Sequence, residues 1–359
     1  MHIMTFRREA TAFTLSRDHS GPSPLGPRSV RPVRYLIIGT GAVGGVIGGL
    51  LADAGRDVVL VARHRQLDAL TADGLEVATA DRVLHVHPPT AAGPDDVDLR
   101  PDDVLVLAVK SQDTVDALDA WADRPVRGGG TAATDLPLVC AQNGVDNERA
   151  ALRRFAHVVG MCVWLPATHL EPGRVTAGST PVPGVLWLGP VPIGGPAPTQ
   201  IATDLVAAGF RAPVVDDVMA WKAYKLVTNL GNAIEALCGT DRDDAARELG
   251  ARADAEGRAA LAAAGVHLVP DAEHDAARAE FHMGRLPGEG GGGSSWQSLA
   301  RGTGSVEADY LNGEIVLLGR LHGVPTPVNA MLQQLARQAA AAGSKPGAYD
   351  AADLLARLG

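Results

Sequence analysis

Only four of the 32 basic residues in this 359-residue chain are lysines, at positions 110, 222, 225 and 345, so arginine serves wherever a generic cation is enough. Arginine keeps its proton near neutral pH, whereas a lysine tuned by burial can give and take one. Lys110 ends the apolar run Asp103–Val109. Lys225 lies in Trp221-Lys-Ala-Tyr-Lys-Leu-Val-Thr-Asn-Leu-Gly-Asn232, where Lys225, Asn229 and Asn232 fall at i, i+4 and i+7 of one helical face. Such a stripe is a poor core face and reads as the wall of a polar pocket, with a solvated stripe as the alternative. Glu307 and Asp309 follow the turn Gly302-Thr-Gly304-Ser305 and open a further helix. Carboxylates favour a helix N-terminus in any case, so by itself Glu307 reads as a capping residue. Gln142-Asn143-Gly144 follows an apolar strand and falls at the carboxyl end of a sheet, where ligands bind in open α/β folds; a plain Asn-Gly turn is the alternative.

Gly39-Thr40-Gly41-Ala42-Val43-Gly44 matches GxGxxG, whose glycines allow a tight turn, close approach of a pyrophosphate to bare backbone, and tight helix–strand packing. A second match at Gly288, Gly290 and Gly293 neither follows a strand nor opens a helix, so only the first reads as a dinucleotide site. The next strand runs into Ala62-Arg63-His64-Arg65 and offers no carboxylate before Asp68. Arginine there suits a 2′-phosphate, so NADP is expected over NAD. There is no P-loop, no HExxH and no GxSxG. His85 and His87 share a strand face without a third ligand nearby, so no metal site is expected.

These residues need a frame to hold them. Length suggests roughly two domains of about 150 residues, and 46% apolar with 20% charged residues is globular composition. A net charge of −9 disfavours nucleic acid and anionic membranes as partners. Cys140, Cys162 and Cys238 form no CxxC pair, which fits a reducing cytoplasm. Residues 1–33 read as a disordered tail without a signal peptide. The uncharged run Tyr35–Ala52 is too glycine-rich for a membrane span. Strands at Arg34–Ile38, Asp57–Ala62, Asp103–Val109 and Leu136–Cys140 alternate with helical stretches, which means a parallel sheet. Further short strands are expected over 158–190 and a helix over Thr199–Gly209. From Asp217 the chain is alanine-rich and helix-periodic, over Val218–Leu237, Asp243–Ala264, Val306–His322 and Val328–Ala342, with Gly288–Gly293 as a flexible loop. The expectation is an α/β protein: a Rossmann-type parallel-sheet domain at 34–212, a mainly α-helical domain at 213–342 and a tail at 343–359. Alanine-rich helices can pack within one chain or across a two-fold axis, so a homodimer stays open.

The ordered set of strand, GTGAVG and helix, Leu107-Ala-Val-Lys110, Gln142-Asn143-Gly144, Lys225-Leu-Val-Thr-Asn229, Ser294-Ser295 and Glu307-Ala-Asp-Tyr-Leu-Asn312-Gly313 resembles the ketopantoate reductase (2-dehydropantoate 2-reductase) family over residues 34–340. The resemblance implies a Rossmann domain and a helical domain with the site in the cleft between them, and NADPH-dependent reduction of ketopantoate to pantoate on the route to pantothenate and coenzyme A. By position it implies Gly39, Gly41 and Gly44 at the pyrophosphate, Arg63 at the 2′-phosphate and Lys110 beside the cofactor. Asn143 would contact the nicotinamide end and the substrate. Lys225 would be the proton donor and Glu307 the acid that hydrogen-bonds the new hydroxyl, with Asn229 and Ser295 on the substrate. Family members often carry a second Asn eight residues after that lysine; here position 233 is Ala and Asn232 is the nearest candidate. Trp296-Gln-Ser298 stands where Met-Leu-Gln-Asp is usual. These departures leave the identity of the 2-oxo acid open, with a paralogue acting on another oxo or hydroxy acid, or an NADPH-sensing regulator, as alternatives.

Overall fold

The computed structural model describes residues 33–279, 281–286, 291–302 and 304–358. The expected N-terminal tail, apart from Val33, and Gly288 and Gly290 of the second glycine cluster lie outside them. The strands are β1 (Arg34–Ile38), β2 (Asp57–Val61), β3 (Leu75–Thr79), β4 (Val83–Val86), β5 (Thr90–Ala91), β6 (Asp103–Leu107), β7 (Pro137–Cys140), β8 (His157–Trp164), β9 (Ala167–Thr168), β10 (Arg174–Ala177) and β11 (Val185–Val191). The main sheet has the order β11-β8-β7-β6-β1-β2-β5, parallel except for the β8/β11 pair. Alternate side chains of β1 enter opposite layers, Tyr35 and Ile37 one core cluster, Leu36 and Ile38 the other. Burial on both faces explains why these strands read as continuous apolar runs. Chain order reverses beside β1, which makes the carboxyl end of β1 the switch point where a ligand crevice opens.

Helices α1 (Ala42–Asp53), α2 (His64–Asp73), α3 (Thr114–Ala122), α4 (Ala132–Asp135), α5 (Asn147–Leu152) and α6 (Thr199–Ala207) accompany the sheet. A second sheet of order β4-β3-β10-β9 was not anticipated. It rests on the glycines of α1: a Cβ at Gly45 would sit 2.7 Å from Val175 Cγ1, and one at Gly49 2.4 Å from Val77 Cγ2. The glycines that weaken α1 as an apolar helix are therefore contact points. No helix among the described residues is long and apolar enough to cross a membrane.

The remaining helices are α7 (Val218–Asn229), α8 (Asn232–Cys238), α9 (Asp244–Ala263), α10 (Asp271–Arg278), α11 (Ser294–Ala300), α12 (Asn312–His322), α13 (Pro327–Ala341) and α14 (Ala351–Ala356). Three expectations change. The single helix expected over Val218–Leu237 breaks at Leu230–Gly231, where Asn312 Nδ2 donates to the Leu230 carbonyl at 3.2 Å and satisfies the acceptor that the break frees. Glu307 and Asp309 form one 3-10 turn, and α12 begins only at Asn312, after Leu311 leaves helical geometry at φ −110° and ψ −91°. Residues 343–359, expected as a tail, carry α14, whose Leu354 is fully buried in the helical core.

A buried ion pair joins the helices to the sheet. Lys222 of α7 donates to Glu148 Oε1 of α5 and, at 2.9 Å, to the carbonyl of Gln142 just past β7. Their side chains are 2% and 1% exposed, so neither charge has water as a substitute partner. Trp187 of β11 stacks on Trp221 of α7 at 4.7 Å beside this link. Lys222→Met is expected to cost about 3–5 kcal/mol because it strands a buried carboxylate. Lys222→Met/Glu148→Leu should recover most of that loss. Urea unfolding midpoints of the three chains check both statements.

Candidate active site

A cleft of about 1320 Å³ opens at the carboxyl ends of β1, β2, β6 and β7 and is closed by α7, α8, α11 and the turn at Glu307. Its floor is the β1–α1 turn. Gly39 has φ +100°, and a Cβ there would lie 2.7 Å from Val109 N on the neighbouring strand end. A Cβ at Gly44 would lie 2.2 Å from the Gly39 carbonyl, whereas one at Gly41 would meet nothing within 4 Å. Gly39 and Gly44 are thus required by packing, while Gly41 faces open space. Gly39, Gly41, Ala42 and Val43 line the cleft, and Gly44 lies behind them. No side chain caps α1. Its first-turn N–H groups and positive dipole end are a cradle for a pyrophosphate, so the residues present fit a dinucleotide.

Arg63 follows β2 and stands exposed in the same cleft, with no ion-pair partner among the described residues. Gln66, overlooked in the sequence, ties the wall together. Its Nε2 donates to Thr40 O at 2.9 Å, and its Oε1 accepts from Gly173 N at 2.9 Å and faces His169 Nε2 at 3.1 Å. Burial, with the Arg301 charge next to it, pushes His169 down to about 4, so its ring is neutral at pH 7. Nothing in the local sequence marks His169 or Arg301, since they meet across 132 residues.

Lys110 and Glu307 both line the cleft, close enough for the Glu307 charge to act on Lys110. Lys110 Nζ donates to Ser298 Oγ at 2.6 Å. Burial lowers its pKa, and the Glu307 charge opposes that shift. Glu307 Oε1 accepts from Ser111 N at 3.0 Å and Ser111 Oγ at 3.1 Å, so this carboxylate clamps the loop after β6. Asn143 is held by its backbone, its carbonyl accepting from Asn147 Nδ2 at 2.9 Å. Asn143 Oδ1 and Asn229 Nδ2 are buried without a partner among the described residues. Orphaned buried amide atoms are costly and point to a ligand that completes them.

Lys225 Nζ donates to the Val163 carbonyl and lies 4.7 Å from the centroid of the Trp164 ring. Burial is the main cause of its pKa falling to about 8, helped by Arg278 and Lys222 and opposed by Cys162. An ammonium has three donors, so two remain after Val163. Asn229 and Asn232 share this wall in spite of the helix break, Asn232 beside Gly293. Ser295 does not join them: it is buried off the wall, and Ser294 lines the cleft, its Oγ buried and without a partner among the described residues. Neighbouring residues of α11 point about 100° apart, so one of the two serines faces the cleft and their spacing does not say which. His85 lies away from the cleft, opposite Glu76 of β3. Among the described residues no three His, Cys, Asp or Glu gather as a metal site.

Residues 35–192 match the family model of ketopantoate reductase PanE/ApbA, and 217–340 match that of its C-terminal part. A 2-dehydropantoate 2-reductase of Archaeoglobus fulgidus is 30% identical over 86% of this chain and 98% of its own length. One of Mesorhizobium japonicum is 32% identical over 86% and 98%. Among solved structures, a PanE/ApbA family ketopantoate reductase from Ralstonia eutropha JMP134 is similar at TM-score 0.70 and 29% identity, covering 87% of this chain and 99% of that one. A D-mandelate dehydrogenase solved with NADH and anilino(oxo)acetate shares the fold at TM-score 0.71 and 19% identity, covering 87% and 99%. With both parts of the family matched in order around one cleft, the chain belongs to the ketopantoate reductase family, oxidoreductases acting on CH–OH groups.

Proposed function

We propose that this protein reduces a 2-oxo acid with NADPH, and that the acid is 2-dehydropantoate, giving pantoate for pantothenate and coenzyme A synthesis. The observation that carries the reading is a lysine of lowered pKa, Lys225, in one cleft with the orphaned amides of Asn143 and Asn229 and an α1 turn shaped for a pyrophosphate. Bound NADPH supplies the hydride that makes the new C–H bond at C2. The Lys225 ammonium stabilises the charge that grows on the C2 oxygen and gives it a proton, leaving a neutral amine that solvent reprotonates. Asn143 and Asn229 orient the acid, with Asn232 and Ser294 at the rim. Glu307 accepts a hydrogen bond from the forming hydroxyl while holding Ser111. Lys110 supports the cofactor side, and Arg63 pairs with the 2′-phosphate.

The direct test is NADPH absorbance loss with ketopantoate, beside NADH and a panel of other 2-oxo acids. Ketopantoate-dependent loss supports the reading, turnover of another acid alone replaces the substrate, and NADPH binding without any turnover overturns the enzyme in favour of a sensor. Lys225→Ala is expected to lower kcat by about 10²–10⁴-fold, the range of a general acid. Reduction needs the charged lysine, so its kcat/KM falls as pH rises through about 8, whereas hydroxy-acid oxidation, which needs the neutral amine, rises there. Arg63→Ala should raise KM for NADPH about 10- to 100-fold, as loss of a charged hydrogen bond does, with KM for NADH little changed. A Cβ at Gly41 meets open space, so Gly41→Val should keep Tm yet lose dinucleotide binding by fluorescence titration. Gly44→Val, driven into the Gly39 carbonyl, should lose Tm as well.

A further inference from the structure

Arg278 is a half-buried cation of the cleft with no anionic partner among the described residues. Arg278, the last residue of α10, lays its guanidinium Cζ 3.7 Å from the centroid of the Trp164 ring, with Phe281 beyond at 6.0 Å. Its Nε is buried and unbonded, and no carboxylate among the described residues lies within ion-pair distance of it. Asp275 acts on it only through space, and burial lowers its pKa. Its neighbours Lys110, Arg301 and Lys225 are each engaged, with Ser298, His169 and the Val163 carbonyl. A half-buried guanidinium without an anion is a cost that a bound anion would remove.

The fold spends several contacts on keeping it there. His274, one turn earlier on α10, stacks on Tyr224 at 3.9 Å and tilts against Trp164 at 5.3 Å. After α10 the chain pairs back onto the sheet domain through Thr180 and His282, with bonds of 3.1 and 2.9 Å. Contact of the guanidinium with the Trp164 ring restrains it in place, and a guanidinium presents donors in fork geometry that suit a planar oxyanion.

Lys225 lies against the same indole, so the two cationic centres are no farther apart than the sum of 4.7 and 3.7 Å. Cations held this close can donate to adjacent oxygens of one 2-oxo acid, each through a hydrogen bond of about 2.8 Å. We infer that Arg278 binds the C1 carboxylate of the substrate and thereby turns the C2 carbonyl oxygen toward Lys225. The inference rests on the reductase reading above and adds a requirement to it: the substrate is an acid, recognised by charge, and a neutral 2-oxo ester of the same shape is a poor substrate.

The test compares ketopantoate with its ethyl ester on wild type, Arg278→Lys and Arg278→Leu, each first shown to keep Tm and NADPH affinity. In Arg278→Leu, KM for the acid is expected to rise about 10- to 100-fold and the preference for acid over ester to collapse, with Arg278→Lys in between. Equal loss on acid and ester, or none, overturns the inference, since a merely structural Arg278 cannot tell the two apart. A second readout does not need turnover: calorimetric titration of oxamate into the NADPH-loaded protein. Oxamate binding by wild type and its loss in Arg278→Leu supports the carboxylate site even if no 2-oxo acid is reduced. Oxamate binding that is equal in both chains, or absent from wild type, overturns it.

Discussion

The cleft depends on one buried link, the Lys222 ammonium held between Glu148 and the carbonyl of Gln142. Charges this deep are expensive to bury and are stable only when each finds its partner, so the pair tolerates one docking of α7 and punishes the rest. Both ends of the link lead into the site. Gln142 precedes Asn143, and Lys222 precedes Lys225 by three residues on α7, so the same contact sets an amide on one wall and an ammonium on the other. The Trp187–Trp221 stack fills the apolar space beside it and excludes water.

Around that link the cleft is built to hold anions in a chain whose net charge is −9. Arg63, Lys110, Lys225, Arg278 and Arg301 stand on its wall, and two of the acids there are committed, Glu307 to Ser111 and Glu235 to Arg242 and Gly293. Such a wall concentrates phosphate and carboxylate ligands against the overall field. The same burial that makes the cations useful destabilises their charged forms, which is why Lys225 falls to about 8 and Lys110 is lowered. Binding strength and proton-transfer readiness therefore arise from one physical cause, desolvation.

Much of this was legible in the residues. The β1–α1 turn, the apolar strands and the sparing use of lysine were local signals, and the structure brings Gly39, Gly41, Arg63, Lys110, Asn143, Lys225, Asn229, Asn232 and Glu307 to one cleft. The misses share a feature. The break at Leu230–Gly231, α14 in the supposed tail and the β4-β3-β10-β9 sheet are each decided by a partner distant in the chain.

The sequence by itself determined the alternation of elements, the glycine turn and the inventory of proton-bearing side chains, because side-chain period and backbone freedom are properties of neighbouring residues. Tertiary structure alone decided what each charge does. Lys222 and Lys225 are the same side chain one helical turn apart, yet the first is neutralised by Glu148 from 74 residues away and the second is left with a carbonyl, an indole and the Arg278 charge. Whether a lysine is a structural bolt or a proton donor depends on the dielectric and the partners around it, and those come from long-range packing.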